Sequence, residues 1–228
     1  MSSQTLNTYR VAAMAGMWMQ IMFGVWWDIE HYGRLELYYF TEWGKWMTCF
    51  TITLMVLGHI WFKPEDPQST KLGMWWKWCS WFYTMTIWWD VIITIVFWGF
   101  LLPTTNFGEV FYGHPWGEFK LMTDHIFPLF FMLVDWFLNA ITFEKQHIWP
   151  NLIPMTIYAL VNLTYVKVTG KIVYPGMTWD SFLSVLLVLV GYPVGIGLWY
   201  LICWLTDKKL FRFLKKAGLR PEQTDLLD

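Results

Sequence analysis

Six apolar stretches, each long enough to cross a lipid bilayer as a helix, constrain the fold of this chain more than any other feature. They cover about 11–27, 43–62, 78–102, 121–143, 150–168 and 181–205. Crossing the hydrocarbon takes roughly 20 mainly apolar residues, because backbone polar groups must be satisfied inside the helix. With 56% hydrophobic and 14% charged residues, the composition disfavours a soluble domain. The sequence predicts an all-α polytopic membrane protein, a single bundle of six transmembrane helices.

The chain is expected to form one transmembrane domain followed by a short tail. Residues 1–205 hold the six helices, and 206–228 form a basic juxtamembrane C-terminal tail. The connections between stretches are too short for a second core, and no repeat is visible. Lysine and arginine alternate with leucine and phenylalanine in 208–216, a pattern that favours contact with an anionic lipid surface.

The distribution of Lys and Arg predicts the topology. An even number of spans places both termini on one side, and eleven of the sixteen basic residues fall on that side. The positive-inside rule then puts both termini in the cytoplasm or its matrix equivalent. The sequence does not identify the membrane, and the mitochondrial inner membrane is one candidate. The formal net charge of -1 predicts no nucleic-acid partner, which leaves membrane lipids as the expected partners.

The three cysteines, Cys49, Cys79 and Cys203, fall within or at the ends of the predicted spans. An odd number of cysteines at these spacings gives no disulfide framework and no metal-binding motif. We interpret all three as small apolar side chains that fill the bundle.

Polar residues within the spans are the candidates for function, because an ionisable group at the bilayer centre costs about 2.5 to 3.5 kcal/mol. On a helical wheel they form two stripes that should face the bundle interior. The fourth span carries His125, Met132, Asp135 and Asn139, and the second carries Thr48, Thr51, Met55 and His59. Asp90 lies near the middle of the third span.

Thr48 and His125 are expected to lie at the same depth. Both helices start from the non-cytoplasmic side, which places the two residues about 6 to 8 Å below that surface at a rise of 1.5 Å per residue. A threonine hydroxyl becomes a nucleophile when a base takes its proton, and histidine is the usual base. The alternative is structural, because membrane threonines commonly bond the carbonyl one turn back and a lone histidine often serves packing.

Four segments resemble one known family. They are Tyr39-Phe40-Thr41-Glu42-Trp43-Gly44-Lys45-Trp46-Met47-Thr48, the block His125 to Asp135 that contains Pro128, His147-Ile148-Trp149-Pro150, and Val168-Thr169-Gly170-Lys171-Ile172-Val173-Tyr174-Pro175. Across residues 38–180 the chain resembles the androgen-induced-gene family of transmembrane threonine hydrolases. The most specific part is the Val-Thr-Gly motif followed at a fixed distance by Val-Tyr-Pro. The apolar composition of a membrane protein does not by itself produce this pattern.

The resemblance implies an integral membrane lipid hydrolase that cleaves fatty acid esters of hydroxy fatty acids. Thr48 would be the nucleophile and His125 the base, with neither a metal nor an organic cofactor. Aromatic side chains near the pair could bind acyl chains, although ordinary bundle packing also explains them. These predicted substrate-binding residues are Trp46, Phe50, Phe127 and Phe131.

Two other functions remain open at this point. The first is a noncatalytic structural subunit of a large membrane complex that keeps the family fold, for example in a mitochondrial inner-membrane respiratory or ATP synthase assembly. The 19 tryptophans would suit surfaces that face lipid or other subunits. The second is transport along a proton path through Asp90, Asp135, His59 and Asn139, for which no repeat or broken helix provides support.

Overall fold

The computed structural model describes residues 3–61, 70–104, 114–139 and 141–216. Within these ranges the regular structure is entirely helical, as the sequence predicts. The six long helices are α1 Ser3–Tyr32, α2 Phe40–Trp61, α3 Thr70–Val96, α4 Pro115–Leu138, α5 Ile148–Thr169 and α6 Phe182–Lys216. Helix α3 continues through a π-helical turn, Phe97–Leu101, into Leu102–Thr104, and a 3-10 turn, Lys145–His147, precedes α5.

Four helical segments are long and apolar enough to cross a membrane: Gly73–Leu101, Pro115–Leu138, Lys145–Thr169 and Phe182–Arg212. They correspond to α3, α4, α5 and α6, so four of the six predicted spans meet this description. Helices α1 and α2 are not among these four segments, and each carries charged side chains that are buried in the bundle. These are Arg10 and Asp28 in α1 and Glu42 and Lys45 in α2.

Helix α2 lies at the centre of the bundle, in contact with α1, α3 and α4. Two glycines allow α3 to approach it closely. A Cβ atom on Gly44 would overlap Ile93, and one on Gly58 would overlap the indole of Trp75. The core beside them is unusually rich in large aromatic side chains, with Trp88, Trp89 and Trp199 fully buried.

The predicted polar stripes do face the interior. His125, Met132 and Asp135 are buried on α4, and Thr48, Thr51 and Met55 are buried on α2. His59 is partly exposed. The three cysteines are buried and free, as expected. Large apolar side chains cover the outer faces of α4, α5 and α6, among them Phe130, Phe137, Ile153, Leu160 and Leu189, which suits a lipid environment.

A buried ion pair joins α1 to α4 at the end of the bundle that holds the N-terminus. Arg10 donates from Nε to Asp135 Oδ1 at 2.7 Å and from a terminal nitrogen to Oδ2 at 3.2 Å. Asn139 Nδ2 donates to the same carboxylate at 2.6 Å. Helical periodicity predicts an interior position for Asp135 but does not identify this partner. A bidentate guanidinium satisfies both carboxylate oxygens, so the positive charge of Arg10 balances the negative charge of Asp135 within the bundle.

The predicted tail begins inside a continuous helix. Helix α6 passes through residue 205 and ends at Lys216, while 217–228 lie outside the described residues. The Lys209 ammonium group donates to the main-chain carbonyl of Asn139 at 3.0 Å. This contact holds the extension of α6 against the carboxyl end of α4, where unpaired carbonyl groups favour a cation.

Candidate functional site

The two nitrogens of His125 have different hydrogen-bond partners, and these partners fix its tautomer. Nδ1 lies 2.7 Å from the main-chain oxygen of Leu121, one turn earlier in α4. A carbonyl oxygen can only accept, so Nδ1 carries the hydrogen and Nε2 presents its lone pair. Nε2 lies 2.9 Å from Oγ1 of Thr41. Thr41 therefore donates its hydroxyl hydrogen to a neutral imidazole, which is the arrangement that general-base activation requires.

Packing from α3 holds the imidazole in this orientation. Phe97, the first residue of the π-helical turn, stacks on the His125 ring with centroids 3.6 Å apart and planes at 15°. Thr94 donates to the main-chain oxygen of His125 at 3.2 Å. Pro128 lacks the amide that would bond the Asp124 carbonyl in a regular helix, so α4 is locally irregular beside the ring. π-Helical turns are commonly found at functional sites.

Thr41 is the second residue of α2, and the backbone that leads into it is fixed by two tyrosines. The amide of Phe40 donates to the Tyr174 hydroxyl oxygen at 2.8 Å. The hydroxyl of Tyr158 donates to the main-chain oxygen of Tyr38 at 2.9 Å. Because these tyrosines come from α5 and from the loop after it, the start of α2 is held between α4 and the α5–α6 region.

Two cavities meet at Thr41 and His125. The first, which we call the apolar cavity, has a volume of about 360 Å³ and lies among α3, α5, α6 and the start of α2. The second, the polar cavity, has a volume of about 260 Å³ and lies on the side of α1 and α4. Thr41, Leu101, His125, Tyr174 and Pro175 border both cavities. The hydroxyl and imidazole thus sit where an apolar chain and a polar group could be bound on either side.

The side chains of the two cavities differ in character. Aliphatic and thioether groups dominate the apolar cavity, for example Ile92, Val96, Met155, Leu187, Val188 and Leu198. The polar cavity has a mixed lining, in which apolar side chains such as Trp27 and Leu121 lie beside charged and phenolic groups, for example Tyr32, Glu36, Tyr39, Glu42, Lys120 and Asp124. Ligand sites combine an apolar majority with a few placed polar groups, and the two cavities together match that description.

Next to the polar cavity, two lysines form ion pairs with three carboxylates. Lys45 contacts Glu42 at 2.8 Å and Asp124 at 3.2 Å. Lys120 contacts Asp124 at 3.0 Å, Glu42 at 3.3 Å and Asp28 at 3.4 Å. Lys45 is 1% exposed, so a bare charge here would be costly. The network links α1, α2 and α4 and fixes the walls around the pair.

The structure gives Thr48 a different partner from the predicted one. Its hydroxyl donates to Oδ2 of Asp90 at 2.7 Å. Both nitrogens of His125 are bonded elsewhere, to Leu121 and Thr41, so the predicted hydrogen bond between Thr48 and His125 is not formed. Thr48 is completely buried and borders neither cavity. Asp90 and His125 do border one narrow void, which is too small for a water molecule.

The four aromatic residues predicted to bind acyl chains line neither the apolar nor the polar cavity. Trp46 packs edge-on against Trp18 with centroids 6.3 Å apart, and Phe50 packs against Phe82 at 5.2 Å. Phe127 and Phe131 contact each other at 5.9 Å. Their role in substrate binding therefore stays a prediction. Other residues line the two cavities.

Thr41 is not among the residues that the sequence predicts to be catalytic, because the second apolar stretch begins at 43. The helix begins at Phe40. Tyr174 stands out in the sequence only as part of the Val-Tyr-Pro segment. The signals were present in the sequence, since both residues lie in the family-like segments, but the contact between residues 84 apart depends on the packing of the bundle.

Comparison of the chain with protein-family models, curated proteins and solved structures finds no match. The fold and the site therefore rest on the contacts described above, and the resemblance to the threonine hydrolases stays a prediction. Among the described residues, no group of three or more His, Cys, Asp or Glu side chains is arranged to hold a metal ion.

Proposed function

We propose that this protein is a membrane-embedded hydrolase of long-chain lipid esters, with Thr41 as the nucleophile and His125 as the base. The observation that carries the proposal is the 2.9 Å contact between Thr41 Oγ1 and His125 Nε2, located where the two cavities meet. The resemblance in sequence independently suggests a threonine and histidine hydrolase. It also suggests fatty acid esters of hydroxy fatty acids as the first substrates to test.

The proposed reaction follows acyl transfer. Thr41 Oγ1 attacks the ester carbonyl carbon while its hydrogen passes to His125 Nε2, and the carbonyl oxygen becomes an oxyanion. When this intermediate collapses, the bond to the alcohol breaks and His125 returns the proton to the departing oxygen. Water, with His125 again acting as base, then cleaves the acyl-threonine ester and releases the fatty acid. The Leu121 carbonyl stabilises the imidazolium that forms in each step.

Under this proposal, each cavity binds one half of such an ester. The apolar cavity of about 360 Å³ would hold the acyl chain, because burial of each methylene group contributes about 0.8 kcal/mol. The polar cavity would hold the alcohol part and admit water. This division places the ester carbonyl at the junction, next to the Thr41 hydroxyl group.

Geometry favours Thr41 over Thr48 as the nucleophile. Thr48 is 0% exposed, and its hydroxyl is bonded to the carboxyl group of Asp90, which borders neither cavity. Thr41 borders both cavities and already donates to the lone pair of an imidazole. A nucleophile must come within about 3 to 3.5 Å of the reacting carbon, which requires open space beside it.

All six helices are proposed to cross the membrane, with both termini on the cytoplasmic or matrix-equivalent side. Buried charges of α1 and α2 are paired inside the bundle, as in Arg10 with Asp135 and Lys45 with Glu42. Paired, inward-facing charges are the form in which ionisable residues are tolerated within membranes. This topology puts Thr41 near the non-cytoplasmic surface.

The test is labelling of the detergent-purified full chain with a fluorophosphonate probe, together with hydrolysis of long-chain esters. We expect the wild-type protein to hydrolyse the esters and to carry the adduct on Thr41. Thr41→Val and His125→Gln should each lower the rate at least about a hundredfold, since each removes the attack or the proton transfer. Size-exclusion profiles and thermal unfolding would check that each variant folds.

Thr48→Val is the matched comparison. Retained hydrolysis in this variant, with the adduct still on Thr41, supports the proposal. An adduct on Thr48 would instead support the nucleophile that the sequence suggested. A folded wild-type protein that neither labels nor hydrolyses any ester would overturn the hydrolase proposal and favour the noncatalytic subunit, which purification from the native membrane within a large complex would then support.

A further inference from the structure

We infer that the hydroxyl group of Tyr174 donates a hydrogen bond to the oxyanion formed when Thr41 attacks an ester. This assignment rests on the proposed function. It adds a catalytic residue from the loop between α5 and α6. Preorganised donors aimed at the developing negative charge usually make the largest single contribution to acyl-transfer catalysis.

The position of Tyr174 supports the assignment. It borders both the apolar and the polar cavity, and its hydroxyl oxygen accepts the Phe40 amide at 2.8 Å. The hydroxyl is thus bound to the residue that precedes Thr41, the group that would bond to the carbonyl carbon, and Thr41 borders the same two cavities. Since the carbonyl oxygen is one bond from that carbon, a hydroxyl at the start of α2 is close to where the oxyanion forms.

The surroundings of the hydroxyl strengthen it as a donor. The main-chain amide of Phe40 donates to the Tyr174 oxygen. This amide belongs to the first turn of α2, where N–H groups have no helical partner and the helix dipole is positive. An oxygen that accepts hydrogen bonds polarises its own O–H bond. Burial raises the pKa of Tyr174, so the hydroxyl keeps its hydrogen at neutral pH.

The loop that carries Tyr174 is held rigidly. Trp179 occupies the left-handed region with φ of 59°, and its indole donates to Asn162 Oδ1 at 2.8 Å. Its amide donates to the Ser184 hydroxyl at 2.9 Å, and that hydroxyl donates to the Gly176 carbonyl at 2.9 Å. A strained residue persists only where its surroundings determine it. The loop therefore presents Tyr174 at a defined place before substrate binds.

The experiment is Tyr174→Phe in the purified full chain, measured on a long-chain ester that the wild-type protein hydrolyses. We expect kcat to fall about 100- to 1,000-fold with KM changed less than threefold, because the lost bond forms only in the transition state. Affinity for a long-chain trifluoromethyl ketone, whose hemiketal carries the oxyanion, should fall in parallel. Tyr165→Phe is the control, since Tyr165 stacks on Tyr38 and borders neither cavity.

A second substitution separates chemistry from folding, because Tyr174→Phe also removes the acceptor for the Phe40 amide. Fluorotyrosines at position 174 keep the oxygen while lowering the pKa of the phenol, so kcat should vary with that pKa if the hydroxyl acts on the oxyanion. An active wild-type enzyme whose kcat is unchanged in folded Tyr174→Phe overturns this inference alone. A wild-type protein with no activity overturns the proposed function instead.

Discussion

Thr48 donates its hydroxyl hydrogen to Asp90 across the interface between α2 and α3, over 2.7 Å. Asp90 Oδ1 has no hydrogen-bond partner in the described part of the chain. The Thr48 hydroxyl is therefore the hydrogen-bond donor that stabilises this buried carboxyl group. Gly44 makes the approach possible, since the site of its missing Cβ lies 3.3 Å from Asp90 Oδ1. Thr48, the nucleophile that the sequence predicts, therefore links α2 to α3.

The first prediction concerns the stability that this bond provides. Thr48→Val should lower the free energy of unfolding by about 1.5 to 3 kcal/mol, because a buried acid group loses its donor. Thr48→Ser keeps the hydroxyl and should cost much less. Unfolding of detergent-solubilised protein in a denaturing-detergent titration measures both. A Thr48→Val variant as stable as the wild type would show that the bond contributes little.

The second prediction concerns the ion pair of Arg10 with Asp135. Arg10→Met should lower the free energy of unfolding by about 3 to 5 kcal/mol, because it leaves a buried carboxylate without its partner. Replacing both residues, in Arg10→Met with Asp135→Leu, should recover most of that loss. The exposed pair of Lys167 with Asp180 is the control, and Lys167→Met should change stability by less than about 1 kcal/mol.

If the Arg10→Met variant unfolds at the same denaturant concentration as the wild type, the contact is not the main link between α1 and α4. The alternative links at this end are the bond from the Tyr9 hydroxyl to the Phe131 carbonyl and the packing of Phe131 against Gly16, where an added Cβ would lie 3.1 Å from the ring.

The third prediction concerns pH. Burial raises the pKa of Glu36, although a hydrogen bond from Tyr38 opposes the shift. The folded protein therefore binds the Glu36 proton more tightly than the unfolded chain does. The stability that this proton binding contributes is lost as the pH rises from about 4.5, the ordinary pKa of the group, through its raised pKa in the folded state. Glu36→Gln should be more stable than the wild type above this window and similar below it. Denaturant titrations at pH 4, 6 and 8 provide the comparison.

A constant stability difference between Glu36→Gln and the wild type at all three pH values would contradict this prediction. Taking the difference between the two proteins removes the contribution of other titrating groups, because they are common to both.

The fourth prediction concerns the charge of the substrate. Three carboxyl groups and one ammonium group line the polar cavity, namely Glu36, Glu42, Asp124 and Lys120. Lys120 already contacts three carboxylates, so a free carboxylate on the alcohol part would meet net negative charge. A fatty acid ester of a hydroxy fatty acid should have a higher KM, by about tenfold, than the same ester with its free carboxyl group converted to a primary amide.

A lower KM for the free acid than for the amide would show that the cavity recognises a carboxylate after all. In that case the hydroxy fatty acid esters suggested by the sequence would be the better substrates. Measuring both at high and low salt would separate the charge effect from the difference in size, since only the former is screened.

Hydrophobic periodicity was enough to predict an all-helical bundle and the inward-facing stripes, because apolar length and helical geometry act locally. It could not show that α2 begins at Phe40, since Glu42 looks like a loop residue until the partners of Glu42 and Lys45 are known. Those partners, Asp124 and Lys120, are more than 70 residues away. The same limit applied to His125, whose neighbours Thr41 and Phe97 come from two other helices.

The contact between Arg10 and Asp135 also has a consequence for how the protein is made. The two residues are 125 positions apart, so α1 leaves the ribosome long before its counter-ion in α4 has been synthesised. A guanidinium and a carboxylate can form this bidentate contact only when both are present, so it cannot form until α4 has been made. The packing of α1 against α4 through this ion pair is therefore a late step in the folding of the chain.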